Sequence, residues 1–172
     1  MDRLELRAAA SIGLLYVIRM LGLFMVLPVL PLLGPDLESA TPALVGLALG
    51  IYGLSQACLQ IPLGLVSDRI GRKPVIVGGL LIFVVGSIVA GLSESIYGVI
   101  AGRLLQGCGA VASTLLALMS DLTRIDQRSK SMAIIGMSIG GSFGVSLILG
   151  PLISNHFGLS GVFWFGAWAG LL

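Results

Sequence analysis

Long runs with almost no charge, separated by short links that hold nearly all of it, constrain this chain more than any other feature. A helix that crosses a bilayer needs about 20 apolar residues. Runs of that length cover about 8–33, 43–66, 74–92, 95–120 and 131–154. A sixth starts near 160 and meets the end of the sequence at Leu172. At 1.5 Å per residue it reaches about 20 Å, short of the roughly 30 Å hydrocarbon core. The expectation is an all-α membrane protein, one unit over residues 1–172, with its sixth helix truncated and the chain a fragment of a longer protein. Composition agrees. Of the 172 residues 56% are hydrophobic and 10% charged, where a soluble domain has about 25% charged. No core of this size hides that much apolar surface, so part of it must face lipid. The first run is longer than the roughly 7–15 residues of a cleaved signal peptide, and no small-residue cleavage site follows it, so it reads as a retained helix.

The links carry direction. Of the ten lysines and arginines, only Arg19 and Arg103 lie inside apolar runs. The other eight are Arg3 and Arg7, Arg69, Arg72 and Lys73 in the second link, and Arg124, Arg128 and Lys130 in the fourth. The first, third and fifth links have none, while Asp36, Glu38, Glu94 and His156 fall there. Positive residues are retained in the cytoplasm, so a multi-pass protein with a cytoplasmic N-terminus is expected. The net charge of +2 is too small and too scattered for a nucleic-acid partner. His156, Cys58 and Cys108 set no metal-ligand spacing, so no metal is expected, and both cysteines read as small packing residues. With no nucleophile–base set and no phosphate-binding glycine loop, an enzyme is not expected.

The second link has an order that charge retention alone does not require. It runs Gly64, three residues, Asp68, Arg69, one residue, Gly71, Arg72, Lys73. Gly64 lets a neighbouring helix approach closely. Asp68 sits where a carboxylate can face the N-terminal end of another helix. Gly71 permits a reversal, and Pro74 suits the first turn of the next helix. Arg72 can pair bidentately with a carboxylate, and Asp121 at the end of the fourth run is a candidate. The plain alternative is a helix cap at Asp68 and a solvated Arg72.

This link resembles the signature loop of the major facilitator superfamily, G-x-x-x-D-[RK]-x-G-[RK]-[RK], between helices 2 and 3. "RLLQGCGAV" resembles a second family motif, R-x-x-Q-G-x-G-A, at Arg103, Gln106, Gly107, Gly109 and Ala110. "RMLGLFMVLPVLPLL" looks like the drug:proton antiporter branch. That branch's helix-5 motif is matched at Gly150 and Pro151, while Met137, Ser146 and Ser154 stand at its other glycine positions. The resemblance covers nearly the whole chain but only the N-terminal half of such a protein. It implies a six-helix bundle built as a three-plus-three inverted repeat in a bacterial inner membrane. It implies proton-coupled efflux of a small molecule, with no cofactor beyond the proton, and a missing C-terminal six-helix half as partner. It further implies that the carboxylate at Asp68 meets helix 11 of that half and holds the cytoplasmic side shut. A faint repeat in this sequence fits: a G-x-x-x-V skeleton recurs at Gly71–Val75 and at Gly158–Val162.

Two charges lie deep. An arginine within the bilayer costs at least about 2.5 kcal/mol, so Arg19 and Arg103 should face a partner or a wet cavity. Neither gives up its proton, so neither carries it; each can bias a nearby acid or attract an anionic group. All eight acids fall in links or at helix ends. Any proton carrier is then in a missing half, at a helix end, or at His156. Tyr52, Gln56 and Gln60 share one helix face, as do Arg103, Gln106 and Ser113 on another. These stripes suit a substrate cavity or, equally, interhelical hydrogen bonds. Gly136, Gly140 and Gly144 read as a packing ridge. A second reading stays open: a truncated membrane protein that does not transport and acts, if at all, as an interaction partner.

Overall fold

The computed structural model describes residues 3–171; Met1, Asp2 and Leu172, together with the side chains of Arg3 and Leu4, lie outside that description. Seven α-helices follow one another: α1 (Arg3–Phe24), α2 (Val26–Leu33), α3 (Pro42–Ile70), α4 (Arg72–Leu92), α5 (Ile96–Cys108), α6 (Ala112–Leu122) and α7 (Arg128–Leu171). Five stretches of the described residues are long and apolar enough to cross a membrane: Glu5–Asp36, Pro42–Ile70, Arg72–Leu92, Ile96–Leu122 and Ile125–Leu171. Large apolar side chains such as Leu32, Ile61 and Leu92 stand exposed on the outside, as in a bundle whose solvent is lipid.

Local chemistry sets several boundaries. Thr41 caps α3 by accepting from the Leu44 amide at 3.3 Å, and Pro42 follows at the position where no N–H is needed. Ser95 caps α5 by accepting from Gly98 at 3.4 Å. The first run divides at Met25, because Pro28 offers no amide proton to the carbonyl of Phe24 and crowds it.

Several expected boundaries shift. The first helix starts at Arg3, since the charged first turn is still helical. The second link shrinks to Gly71: Asp68 and Arg69 belong to α3, and Arg72 opens α4. Gly71 has φ 98°, a left-handed conformation in which a side chain would be strained. The fourth run breaks between Cys108 and Ala112. There the backbones of α4 and the broken run touch: a Cβ on Gly109 would lie 2.3 Å from the Gly79 carbonyl oxygen.

In α7 the expected link over 155–159 is helical through Phe157 and turns at Gly158, with φ 66° and ψ −167°. Before this point α7 climbs alongside α1, with Ser138 beside Gly13 and Gly150 beside Met25. Beyond it the chain returns, bringing Gly166 to Gly22 and Ala169 and Gly170 to Leu15 and Ile18. Gly71 and Gly158, the glycines of the recurring skeleton, are the only two described glycines with positive φ, and the valines that follow, Val75 and Val162, are both buried.

The seam between α1 and α7 does not use the glycine ridge of α7. A Cβ on Gly136, Gly140 or Gly144 would meet nothing within 4 Å. The packed edge is Ser138, Ser142 and Ser146. Ser142 and Ser146 donate to their own i−4 carbonyls at 2.6 Å and lie 3.4 and 3.5 Å from the carbonyls of Val17 and Leu21. A serine that folds its hydroxyl back on its own helix is small enough to pack closely, so the serines rather than the glycines face α1. Cys58 is exposed, so it is not the packing residue expected, while Cys108 is half-buried.

The ends of the bundle separate by charge. Glu5 accepts from the amide and the guanidinium of Arg124 at 3.1 and 3.0 Å, tying the start of α1 to the link after α6. Arg72 reaches Asp121 at the same end. At the other end the first and third links meet: Glu38 donates its amide to Glu94, and Ile96 donates to Glu38, both at 3.1 Å. Between the ends the core divides. One apolar cluster gathers Met25, Leu30, Ala48, Ile96 and Phe163 near the acidic end, and another gathers Ile12, Tyr16, Ile76, Leu115 and Met119 near the basic end.

Candidate functional site

A polar layer lies between the two apolar clusters. On each contributing helix the polar residue sits between members of the two: Arg19 between Tyr16 and Met25 on the first, Ser87 between Ile76 and Ala90 on α4, and Arg103 and Gln106 beyond Val99 on α5. Arg103 is 1% exposed and Arg19 2%, so neither snorkels to the surface.

Arg103 is held on three sides. Its Nε donates to the Ala48 carbonyl of α3 at 3.3 Å and its Nη1 to Gln106 Oε1 at 3.0 Å. Its guanidinium lies 4.7 Å from the centre of the Tyr52 ring, a cation–π contact strengthened by burial. Gln106 passes the chain on, donating from Nε2 to Ser87 Oγ at 2.7 Å, and Ser87 donates to the Phe83 carbonyl at 2.9 Å. Arg103 thus points into the bundle, toward α3 and its own helix.

Gly107 makes this approach possible. A Cβ there would stand 1.9 Å from Ser55 Oγ and 2.4 Å from the Tyr52 carbonyl oxygen. The α5 backbone therefore rests directly on α3 and presents Tyr52 to Arg103.

Arg19 reaches the same tyrosine from α1. Its Nη2 donates to the Gly109 carbonyl at 2.7 Å and lies 3.4 Å from Tyr52 Oη. The break in the fourth run frees that carbonyl from an α-helical partner; it also accepts from the Val111 amide at 2.8 Å. Tyr52 stands between two buried cations, its oxygen toward one and its ring face toward the other. Gln56 and Gln60 are half-buried further along α3. Ser113, also half-buried, donates to the Gln60 carbonyl at 3.0 Å, an interhelical bond.

At the basic end Arg72 gathers three partners. It pairs closely with Asp68, donates from Nε to Asp121 Oδ2 at 3.1 Å and from Nη1 to Ser67 Oγ at 2.6 Å. Asp68 and Asp121 remain more than half exposed, and Arg69 and Lys73 are exposed. Gly64 does not carry the close approach expected of it within this chain: a Cβ there would lie 3.6 Å from Ser113 Oγ, an ordinary contact. Gly150 does, at 2.9 Å from the Met25 carbonyl oxygen, with Pro151 half-buried beside it.

Sequence reasoning passed over Ser87, Ser67, the Gly109 carbonyl and the Glu5–Arg124 pair. Serines in apolar helices carry too little signal to single out. The helix break was signalled by the glycines at 107 and 109.

Comparison with known proteins places these features. Residues 12–172 match the profile of the Major Facilitator Superfamily. The chain is 56% identical over 160 residues to the inner membrane transport protein YajR of Escherichia coli (strain K12), covering 93% of this chain and 35% of that protein. It is 44% identical over 167 residues to an uncharacterized transporter of Buchnera aphidicola subsp. Schizaphis graminum, covering 97% and 43%. It is 30% identical over 148 residues to the class H tetracycline resistance protein of Pasteurella multocida, covering 84% and 36%. The chain therefore spans less than half the length of these curated relatives.

Proposed function

The chain belongs to the Major Facilitator Superfamily, and on that premise we propose that it is the N-terminal half of a secondary active transporter that exports small molecules by alternating access, coupled to protons. The architecture is a six-helix bundle built as a three-plus-three inverted repeat, with the turns at Gly71 and Gly158 as corresponding points. It lies in a bacterial inner membrane and rocks against a C-terminal six-helix half.

One observation carries this reading: the uneven burial of the helices. In the apolar windows of Pro42–Ile70 and Ile125–Leu171 only 22% and 17% of residues are buried, against 50–61% in the other three. The same two helices turn glycines outward, Gly46, Gly50 and Gly53 on α3 and Gly136, Gly140 and Gly144 on α7, with open space beyond each. Small residues let helices meet backbone to backbone in a membrane. Two such faces on one bundle suit a second bundle docking there, with Gln56 and Gln60 of α3 toward a path between the halves and Tyr52 buried behind them between the two arginines. Arg103, with Gln106 and Gly107, then anchors the midplane of this half, and Arg19 supports it from α1. The described carboxylates all lie in links or at helix ends, so the proton carrier belongs to the other half, to an end group or to His156.

The test is flux in vesicles containing the full-length protein, under an imposed proton gradient, across chemically varied substrates. Tetracycline is the first to try, given the relative named for resistance to it. Substrate-dependent proton release is the expected result. No substrate or proton movement above empty vesicles, for any compound, would sink the proposal.

Orientation gives a separate prediction. The basic end, with Arg72, Lys73, Arg124 and Arg128, is cytoplasmic by charge retention. A single cysteine at Ser93 is expected to react with an impermeant thiol reagent from outside intact cells, and one at Ser129 to stay unlabelled. Labelling of the Ser129 site from outside would invert the topology.

For Asp68 the expected result is a division between stability and transport. Its side chain is 54% exposed, and such a pair is worth about 0–1 kcal/mol. In Asp68→Asn, Arg72 keeps Asp121 and Ser67, so this half should fold and insert normally. Transport should nonetheless fall severalfold, because the lost charge served a contact beyond this half. Full transport by the variant would reject the latch role of the Gly64–Lys73 segment.

A further inference from the structure

Arg19 and Arg103 are buried in the middle of the bundle, and among the described residues no carboxylate pairs with either. Arg19 donates to the Gly109 carbonyl and lies near Tyr52 Oη, while its Nε and Nη1 have no hydrogen-bond partner among the described residues. Arg103 donates to the Ala48 carbonyl and to Gln106 Oε1 and rests on the Tyr52 ring. Such dipoles disperse a charge without cancelling it. The arginines that do have carboxylate partners, Arg72 and Arg124, stand at the basic end, and all eight acids of the chain lie in links or at helix ends. Cytoplasmic retention accounts for the basic end. It does not account for two cations placed inside apolar runs, where a charge is costly.

We propose, resting on the export reading above, that the substrate of this transporter is an organic anion, drawn to the Gln56–Gln60 face of α3 by the uncompensated charge of Arg19 and Arg103. Tyr52 stands between the two cations. Gln56, half-buried, follows it by one helical turn, about 6 Å along α3. A molecule beside Gln56 and Gln60 is therefore near both cations without touching either. Two unit charges about 10 Å apart, at an effective dielectric of about 20, change an affinity about tenfold. The glutamine amides can donate to carboxylate or sulfonate oxygens, which fixes the anion where the field draws it. At the acidic end Asp36, Glu38 and Glu94 lie in links without lysine or arginine, so an anion that reaches that end is not held there. An organic cation meets the reverse, repulsion in the middle of the path.

The experiment uses the full-length protein in vesicles and sets of three compounds built on one aromatic scaffold, repeated over several scaffolds: the sulfonate, the uncharged sulfonamide and the trimethylammonium analogue. Initial rates of flux against concentration give KM and kcat for each. The KM of the sulfonate is expected about tenfold or more below that of the trimethylammonium compound, with the sulfonamide between them. Arg19→Gln should raise the sulfonate KM severalfold and leave the sulfonamide KM unchanged. Arg19→Lys keeps the charge and should hold the sulfonate KM near wild type. A merely structural role of Arg19 would move all three compounds alike. An equal or lower KM for the trimethylammonium compound would overturn the proposal while leaving export intact, as when an acid of the C-terminal half cancels the two arginines; this arm depends on no variant folding. An unchanged sulfonate KM in Arg19→Gln would overturn it too, since the charge of Arg19 would then not reach the substrate. Flux of no compound of any charge would sink the export reading itself, and this inference with it.

Discussion

Arg103→Ala in the full-length protein is expected to cut transport by one to two orders of magnitude while leaving membrane insertion unchanged. The guanidinium holds α5 to α3 through the Ala48 carbonyl, holds Gln106, and lies against Tyr52. Each charged hydrogen bond of this kind is worth about 1.5–3 kcal/mol, or about tenfold to a hundredfold in an equilibrium or a rate. Stability should change less than transport, because the variant also relieves the desolvation of a buried charge. Insertion should be normal for the same reason. Arg103→Lys separates charge from geometry. A lysine keeps the cation but replaces the planar fork with a single point of donation, so it cannot satisfy Ala48 and Gln106 in the same way. Its transport should fall between wild type and alanine. The measurement is the initial rate of flux in vesicles at matched protein content. Wild-type rates in Arg103→Ala would show that the polar layer is only packing.

The second large effect is expected from adding one methyl group. Gly107→Ala sets a Cβ 1.9 Å from Ser55 Oγ and 2.4 Å from the Tyr52 carbonyl oxygen. Ser55 cannot easily turn away, since its hydroxyl is held to the carbonyls of Ile51 and Tyr52 at 2.9 and 3.0 Å. The carbonyl of Tyr52 is part of the α3 backbone and cannot move alone. The two helices must separate, which costs about 1–3 kcal/mol and withdraws Tyr52 from Arg103. A lower unfolding temperature and reduced transport should appear together. Gly140→Ala is the control. Its Cβ meets nothing within 4 Å in this chain, and exchange of a helical glycine for alanine tends to stabilise by about 0.5–1 kcal/mol. If Gly107→Ala is as stable as wild type, α3 and α5 are not in the close register described above.

Much of the site was visible before the structure, because its cues are local. Asp68, Gly71 and Arg72 lie within five residues of one another, so any reversal there brings them together. Asp121 was within reach once the ends of the second and fourth runs were assigned to the same side. The small residues were harder to read. Glycines at 136, 140 and 144 and serines at 138, 142 and 146 both recur every four residues on the same helix. Nothing in their spacing says which row faces α1, and the serine row does. Gly64 looked like a close contact and has room in this chain, whereas Gly107, read only as part of a motif, is the tighter one.

Local chemistry thus determined what each segment is. Length and apolarity set the membrane runs, the charge of the links set which ends share a side, and glycine at 71 set a reversal, since each acts within one helix or one turn. Tertiary structure decided who meets whom. The break at Gly109, the capture of its carbonyl by Arg19, the Ser87–Gln106–Arg103 chain and the two open glycine faces depend on how far and at what rotation one helix lies against another. That register is fixed by close packing summed over many side chains from distant parts of the sequence, so no single segment encodes it.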